Sequence, residues 1–242
     1  MNYKIYLMYY DRYEEATTSL ALGKAGIEHY VLCHNNADKF KCIGKGGTII
    51  ETGEPKGIQN NFNWALNATK EGDWCIFLSD DYTKSKVLDG DKFVDCDISY
   101  PLNEIVKAMS MAENIGVKLI GLNSVGNAFF VTKKISTGGL VDGRCFAIQK
   151  TNFSFDKNIS TIPDYYSTCW HLKRYKKNII INYTYVDFKR YGKKGLGTAT
   201  ERIDQKKEDC LRMIKLFPDL VSFKNKPGQE KDSHIVVRAP KK

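Results

Sequence analysis

The chain has 242 residues, of which 42% are hydrophobic and 12% aromatic, and these proportions exclude an intrinsically disordered protein. Its formal net charge of +9 favours a polyanionic partner, for which nucleic acid is the first candidate. The length is sufficient for one large α/β domain, which we expect rather than two small ones.

The first half of the chain alternates predicted strands and helices. Hydrophobic periodicity predicts strands at residues 4–10, 30–33, 48–50 and 117–122, and helices at residues 14–24, 58–70 and 101–114. Residues 35–57 are polar and are predicted to form a loop around the short strand, whereas residues 83–97 are predicted to form a loop or a small hairpin. A strand–helix–strand opening implies parallel strands joined by a right-handed crossover.

The second half of the chain has a different pattern. We predict strands at residues 128–132 and 144–148, a basic loop between them, a helix at residues 162–176 and a β-rich run at residues 179–186. Residues 191–200 are rich in glycine and lysine, and a helix at residues 200–217 is expected to end at Pro218. The predicted domain therefore spans residues 1–223, and residues 224–242 are predicted to be a polar tail.

A short apolar run at residues 74–78 leads into two adjacent carboxylates, Asp80 and Asp81. The run is typical of a buried strand in a parallel sheet, and ligands of open α/β sheets lie beyond the carboxyl ends of such strands. Two neighbouring carboxylates repel each other unless a cation neutralises them, and their oxygen atoms suit Mg²⁺ or Mn²⁺. The alternative is an exposed turn, in which aspartate is common.

Two further stretches suggest phosphate or nucleotide contacts, although neither a P-loop nor a Gly-x-Gly-x-x-Gly motif is present. Tyr9 and Arg12 follow the first predicted strand and could stack on a base and bind a phosphate. The alternative is an ordinary start of a surface helix. Lys193, Lys194 and Gly195 could close over a diphosphate or grip an acceptor backbone, with a disordered linker as the alternative.

The order of these motifs resembles the GT-A fold glycosyltransferases, and most closely the TET-associated family, which includes phage enzymes that add sugars to modified DNA bases. The resemblance extends over most of the chain. Its counterparts here are Gly57-Ile58, Asn63, residues 79–82 (SDDY), residues 193–197 (KKGLG) and residues 217–219 (FPD). The sequence departs from the family pattern at Phe62, where an arginine is usual, at Ser79, where a third acid is usual, and at the Gly-Gly pair, which Leu196 splits.

The resemblance implies a single α/β domain with a GT-A-like (Rossmann-like), mostly parallel central sheet flanked by helices. It implies an inverting enzyme that uses a nucleotide sugar, expected to be a UDP-sugar, with Mn²⁺ or Mg²⁺ held by Asp80 and Asp81. Tyr9, Arg12, Asn63 and the segment with Lys193, Lys194 and Gly195 would then contact the donor. His171 and His234 are candidates for a further metal ligand, with structural or surface roles as the alternative.

In GT-A enzymes the catalytic base is usually an acid that opens a helix after the second group of strands, and Asp164 fits this place. The alternative is a plain helix cap after Pro163. The resemblance also implies DNA with a hydroxylated pyrimidine as the acceptor. A DNA-facing surface could include the basic residues Lys133, Lys134, Arg144, Lys173, Arg174, Lys176 and Lys177, although each alone is explained as a solvated charge.

Two other functions stay open: a GT-A enzyme acting on a glycan or protein, and an inactive nucleic-acid-binding module with the same fold. The acids Asp80, Asp81 and Asp164 favour an enzyme.

The chain has seven cysteines, an odd number without a Cys-x-x-Cys pair, and several lie in apolar runs. The cysteines therefore predict a reducing compartment without structural disulfides. The first residues lead straight into a predicted strand, and no apolar run is long enough to span a membrane, so we expect no signal peptide and no membrane contact. We also expect a monomer in the cytoplasm, of a host cell if the protein is viral.

Overall fold

Thirteen strands and six helices form the part of the chain that the computed structural model describes, namely residues 1–9, 16–131, 134–189, 199–224, 234–238 and 240. The strands are β1 (Tyr3–Met8), β2 (Tyr30–Cys33), β3 (Thr48–Glu51), β4 (Trp74–Ser79), β5 (Tyr82–Asp89), β6 (Lys92–Cys96), β7 (Leu119–Leu122), β8 (Ile135–Ser136), β9 (Cys145–Gln149), β10 (Ile179–Ile181), β11 (Thr184–Phe188), β12 (Val221–Phe223) and β13 (Ile235–Val237). The helices are α1 (Thr17–Lys24), α2 (Asn36–Cys42), α3 (Ile58–Asn67), α4 (Ser99–Asn114), α5 (Pro163–Tyr175) and α6 (Ala199–Leu216), and a short 3₁₀ helix spans Ala128–Phe130.

The central sheet has eight strands in the order β3-β2-β1-β4-β9-β7-β10-β8. Strands β3, β2, β1 and β4 run parallel to one another, as do β7 and β10. Strand β9 lies antiparallel between β4 and β7, and β8 is antiparallel to β10. The predicted α/β fold with a mostly parallel central sheet is confirmed. Because β9 is reversed, its first residues lie beside the carboxyl end of β4.

The sheet is buried on both faces, which explains the near-continuous apolar runs of its strands. Alternate residues of β1, β4 and β9 pack against α1 and α4 on one face and against α3 on the other. On the α3 face, the Phe62 ring meets Phe77 edge-on, with the ring centroids 4.9 Å apart. Complete burial of a side chain of this size stabilises the fold by about 1.5–3 kcal/mol.

A second sheet of three strands, in the order β11-β5-β6, lies beside the acidic pair. Of the two alternatives predicted for residues 83–97, the hairpin is confirmed by the antiparallel pairing of β5 with β6. Ser85, Val186 and Phe188 are buried between this sheet and the main core. The second sheet connects directly to the acidic pair, because the backbone N–H of Lys189 donates to the carbonyl of Asp81 at 2.9 Å.

Three predictions of local structure were wrong: β8 (Ile135–Ser136) lies where a basic loop was predicted, and the other two differ because of an asparagine side chain. Helix α2 lies where a loop was predicted, and the Asn35 side chain caps it by accepting from the Asp38 N–H at 2.9 Å. The 3₁₀ helix lies where a strand was predicted, and Asn127 accepts from the Phe129 N–H at 3.0 Å. Phe129 is 85% exposed, so its apolar character does not mark a buried strand.

The C-terminal part of the described chain packs on the fold. Strands β12 and β13 pair with each other, and Ile235 is buried in a cluster with side chains of α5 and α6. Strand β13 thus lies within the segment predicted to be a polar tail, and the boundary between domain and tail stays a prediction. In the described part of the chain, no helix is both long enough and apolar enough to cross a membrane.

All seven cysteines are free, and all except the half-buried Cys96 are buried. They pack as small apolar residues, as their positions in apolar runs predicted. Burial raises the pKa of every one of these thiols above its ordinary value.

Candidate active site

The first turn of α1 holds the backbone of the acidic pair in place. Thr18 is completely buried; its hydroxyl donates to the Ser79 carbonyl at 2.7 Å and accepts from the Tyr82 N–H at 3.0 Å. The Thr18 N–H points to the Asp80 carbonyl at 3.4 Å. The turn after β4 is therefore fixed by hydrogen bonds from α1, and sequence reasoning missed this role of Thr18.

Asp80 and Asp81 lie where the sequence placed them, at the carboxyl end of β4. Each is 7% exposed, so the pair does not form the exposed turn of the plain alternative. The positive end of the α1 dipole lies on the same side and favours negative charge there. Two adjacent carboxylates with little solvent fit a hard divalent cation that takes its remaining ligands from substrate phosphates and water. No described group of three or more His, Cys, Asp and Glu side chains could hold a metal by itself.

Tyr9 lies close to Asp80 but is not open to a ligand. Its side chain is 1% exposed, and burial, together with the charge of Asp80, raises the pKa of its hydroxyl. A ring so enclosed offers no face on which a base could stack. Its surroundings are those of a core residue that packs behind the acidic pair. The other residues predicted near the donor, Arg12, Lys193, Lys194 and Gly195, lie outside the described residues, as does Lys133.

Asp164 lies in the first turn of α5, behind Pro163. Ile162 occupies the N-cap position without a side-chain bond, and the N–H groups of Tyr165 and of Asp164 itself reach the Asp164 carboxyl, so this side chain also satisfies the first turn as the plain alternative predicted. Burial raises the pKa of the Asp164 carboxyl to about 7, and the charge of Asp142 adds to this rise. Backbone N–H groups, among them that of Gly143, oppose the rise in pKa. The carboxyl group therefore changes charge near neutral pH, as a general base should.

Arg144 connects Asp164 to the acidic pair. Its guanidinium donates twice to Asp142, at 2.8 Å from Nε and at 2.6 Å from a terminal nitrogen, and this pairing is the main reason that the pKa of Arg144 is raised. The charges of Asp187 and Asp164 raise the pKa of Arg144 further, so both carboxyl groups lie near it. The Arg144 carbonyl accepts from the Ser79 N–H at 2.9 Å.

These contacts bring Asp164 to the same edge of the sheet as Asp80 and Asp81. The site also includes Asp142 and Asp187, which sequence reasoning missed. An Asp-Gly pair before an apolar run is a turn signal that could have drawn attention to Asp142, whose side chain accepts from the Arg144 N–H at 3.0 Å. For Asp187, within the β-rich run of β11, no such local signal exists.

Asn63 and His171 have surroundings that support structural roles. The Asn63 amide donates to the Phe155 carbonyl at 3.0 Å and accepts from the Phe155 N–H at 2.7 Å, which fixes that segment against α3. The His171 ring is completely buried, packs against Phe153 and Trp170, and is hydrogen-bonded through Nδ1 to the Ser167 carbonyl at 2.7 Å. Burial lowers the pKa of His171 to about 4. Their donor and metal roles stay predictions without support from these contacts.

The predicted basic surface is divided along α5. Lys173, Arg174, Lys176 and Lys177 are exposed at the carboxyl end of this helix, whereas Asp164 lies at its start. The helix has 13 residues, so about 20 Å separate the two ends. Those four cations therefore lie well away from Asp164, and Arg144, which is paired with Asp142, belongs to the site itself.

Replacing Gly143 with alanine is expected to displace Asp164. A Cβ at residue 143 would lie 2.9 Å from the Asp164 Cβ, which is closer than two such atoms pack. Overpacking of this kind costs about 1–3 kcal/mol, measured as the free energy of unfolding in urea. Gly23→Ala is the control, because nothing lies within 4 Å of its added Cβ. Equal effects of the two substitutions would contradict a close contact between Gly143 and Asp164.

Comparison with known proteins shows a similar fold but no family. The crystal structure of a mycobacterial protein aligns with 99% of this chain and 83% of its own length, with a TM-score of 0.57 and 8% identity. Mannose-6-phosphate isomerase from Helicobacter pylori (TM-score 0.37, 12% identity, 75% of this chain and 71% of its own) aligns too loosely to support an argument. The same holds for CMP:2-keto-3-deoxy-manno-octonic acid synthetase complexed with CTP (TM-score 0.40, 11% identity, 89% and 100%). No protein-family model and no curated protein matches the sequence.

Proposed function

We propose that the protein is a metal-dependent glycosyltransferase that moves a sugar from a nucleotide sugar, expected to be a UDP-sugar, to a hydroxylated pyrimidine in DNA. The observation that supports this most is the convergence of two kinds of acid at one edge of the sheet. Asp80 and Asp81 are adjacent and suited to a cation, whereas Asp164 is separate and has its pKa raised to about 7. Acids in such different surroundings are suited to different roles.

Asp80 and Asp81 are the residues that would hold the divalent cation, which when bound would neutralise the diphosphate of the donor. Their own contribution is rigid placement. The Thr18 hydroxyl, which donates to Ser79 and accepts from Tyr82, fixes the turn on either side of the two acids. A turn held in this way presents both carboxylates without reorganisation when the donor arrives.

Asp164 would accept the proton of the acceptor hydroxyl. As that proton moves to the Asp164 carboxylate, the hydroxyl oxygen forms a bond to the sugar carbon, and the bond from this carbon to the diphosphate oxygen breaks. One displacement of this kind inverts the sugar carbon. Arg144 is held by its paired hydrogen bonds to Asp142, and its charge lies near Asp164, where it would favour the ionised base.

DNA as the acceptor is supported by the net charge of +9 and by the exposed cations at the end of α5. Duplex DNA is a dense polyanion, and each phosphate that a cation neutralises releases counterions. A surface that binds DNA in this way does so more weakly as salt rises.

The test is a transfer assay with a panel of UDP-sugars, Mn²⁺, and DNA that contains hydroxylated pyrimidines. We expect mass spectrometry of the digested DNA to show a nucleoside heavier by one sugar. DNA affinity should fall with salt, with a slope of log K against log salt of about −0.9 for each phosphate contacted. Unmodified DNA is the control. Transfer to glycan or protein acceptors alone, with DNA binding indifferent to salt, would contradict the proposal.

A further inference from the structure

A cavity of about 330 Å³ lies between the start of α5 and α6, on the side of Asp164 that faces α6. The described residues that line it are Thr161, Ile162, Asp164, Tyr165, Arg202 and Lys206. The proposed base and two cationic side chains therefore line the same cavity.

Hydrogen bonds to a buried acid join the two sides of this cavity. Asp209 of α6 is 1% exposed, and its side chain accepts from the N–H groups of Ser160 and Thr161 at 3.0 Å and 2.7 Å and from the Thr161 hydroxyl at 2.7 Å. These bonds tie α6 to the segment that leads into α5. Because residues four apart lie on the same face of a helix, Arg202 and Lys206 are held side by side.

The two cations have no anion of their own among the described residues. No ion pair or hydrogen bond joins either side chain to a described residue, and the Nε of Arg202 is buried without a partner. Like charges four residues apart repel each other on a helix. Burial lowers the pKa of His234, and the positive charge of Lys206 lowers it further. Asp164 is the one acidic side chain among the described residues that line the cavity, so two cations still leave an excess of positive charge that suits an anionic group.

We propose that Arg202 and Lys206 bind a phosphate group of the acceptor nucleic acid and so place its hydroxyl at Asp164. The guanidinium fork of arginine matches the geometry of a phosphate, and Lys206 adds a second positive charge beside it. The proposal rests on the proposed function, because it takes Asp164 as the base that the acceptor approaches. The donor diphosphate belongs with Asp80 and Asp81 instead.

The experiment measures the affinity of the protein for a fluorescent single-stranded oligonucleotide over a range of salt concentrations, without nucleotide sugar or divalent metal. Arg202→Gln and Lys206→Gln should each lower the slope of log K against log salt by about 0.7, the value of one phosphate contact on a single strand. Lys215→Gln is the matched control, since it removes one exposed positive charge from the same helix. Melting temperatures establish that each variant is folded. If Arg202→Gln does not fold, Lys206→Gln provides the test by itself.

An unchanged slope in both glutamine variants overturns the proposal. A slope that falls equally in the Lys215→Gln control also overturns it, because the effect would then be one of net charge. Calorimetric titration with UDP is the second arm. If the variants weaken UDP binding and leave the oligonucleotide slope unchanged, the cavity serves the donor. Neither measurement involves transfer of a sugar. Failure of the transfer assay would therefore contradict the proposed function without changing the outcome of this binding test.

Discussion

Replacing Asp164 with asparagine is expected to lower turnover by about 10²–10⁴-fold, the usual contribution of a positioned general base. The amide has the size of the carboxyl group but cannot take the proton of the acceptor hydroxyl. Donor affinity should not change, because Asp80 and Asp81 lie on a different element, at the end of β4. Steady-state rates and calorimetric donor binding measure the two effects separately.

The pH dependence provides an independent check on Asp164. Since the pKa of its carboxyl is raised to about 7, kcat/KM of the wild type should rise with pH and level off above about pH 7.

The contribution of Asp164 to stability should fall, rather than rise, as pH increases. The folded state favours the neutral carboxyl, so this stabilisation is complete below about pH 4 and is lost as pH rises through about 7. The melting temperature of Asp164→Asn relative to wild type should therefore increase from acidic to alkaline pH. Near-normal turnover in Asp164→Asn would remove Asp164 from the mechanism.

Replacing Asp81 with alanine is expected to abolish transfer. One remaining carboxylate leaves too little negative charge to hold a divalent cation and the donor diphosphate together. The backbone should be unaffected, because the bond from Lys189 reaches the Asp81 carbonyl and not its side chain. Transfer rates with and without added Mn²⁺, and UDP affinity in its presence, measure the loss.

Asp89→Ala is the matched control for Asp81→Ala. Asp89 is an exposed carboxylate at the far end of β5, a strand of eight residues, so about 25 Å separate it from the site. The Asp89→Ala variant should have wild-type activity, and EDTA should abolish that activity. Full activity of Asp81→Ala in EDTA would show that the acidic pair does not act through a metal.

The position of the acidic pair could be predicted because it depends on local pattern alone. An apolar run that ends in two acids indicates a buried strand, and the carboxyl end of a buried parallel strand is where ligands lie. The contributions of Asp142 and Arg144 could not be predicted in the same way. They reach the site because β9 runs antiparallel to β4, and an apolar run does not reveal the direction of its strand.

Contacts with residues distant in the chain separate the predicted ligands that face the site from those that support it. The sequence shows that Tyr9, Asn63 and His171 are capable of binding, but their availability depends on neighbours distant in the chain. Asn63 is occupied by the backbone of Phe155, and His171 is enclosed by aromatic rings. Such contacts form only when the whole sheet is assembled, so residue type and spacing do not reveal them.

The buried cysteines make this protein well suited to site-specific labelling. Maleimides and other thiol reagents react with the thiolate, and all seven native thiols have raised pKa values that keep them protonated at neutral pH. A cysteine introduced at the exposed position of Lys215 would ionise more readily and would react first. A fluorophore or spin label on α6 could then report on acceptor binding without removal of any native cysteine.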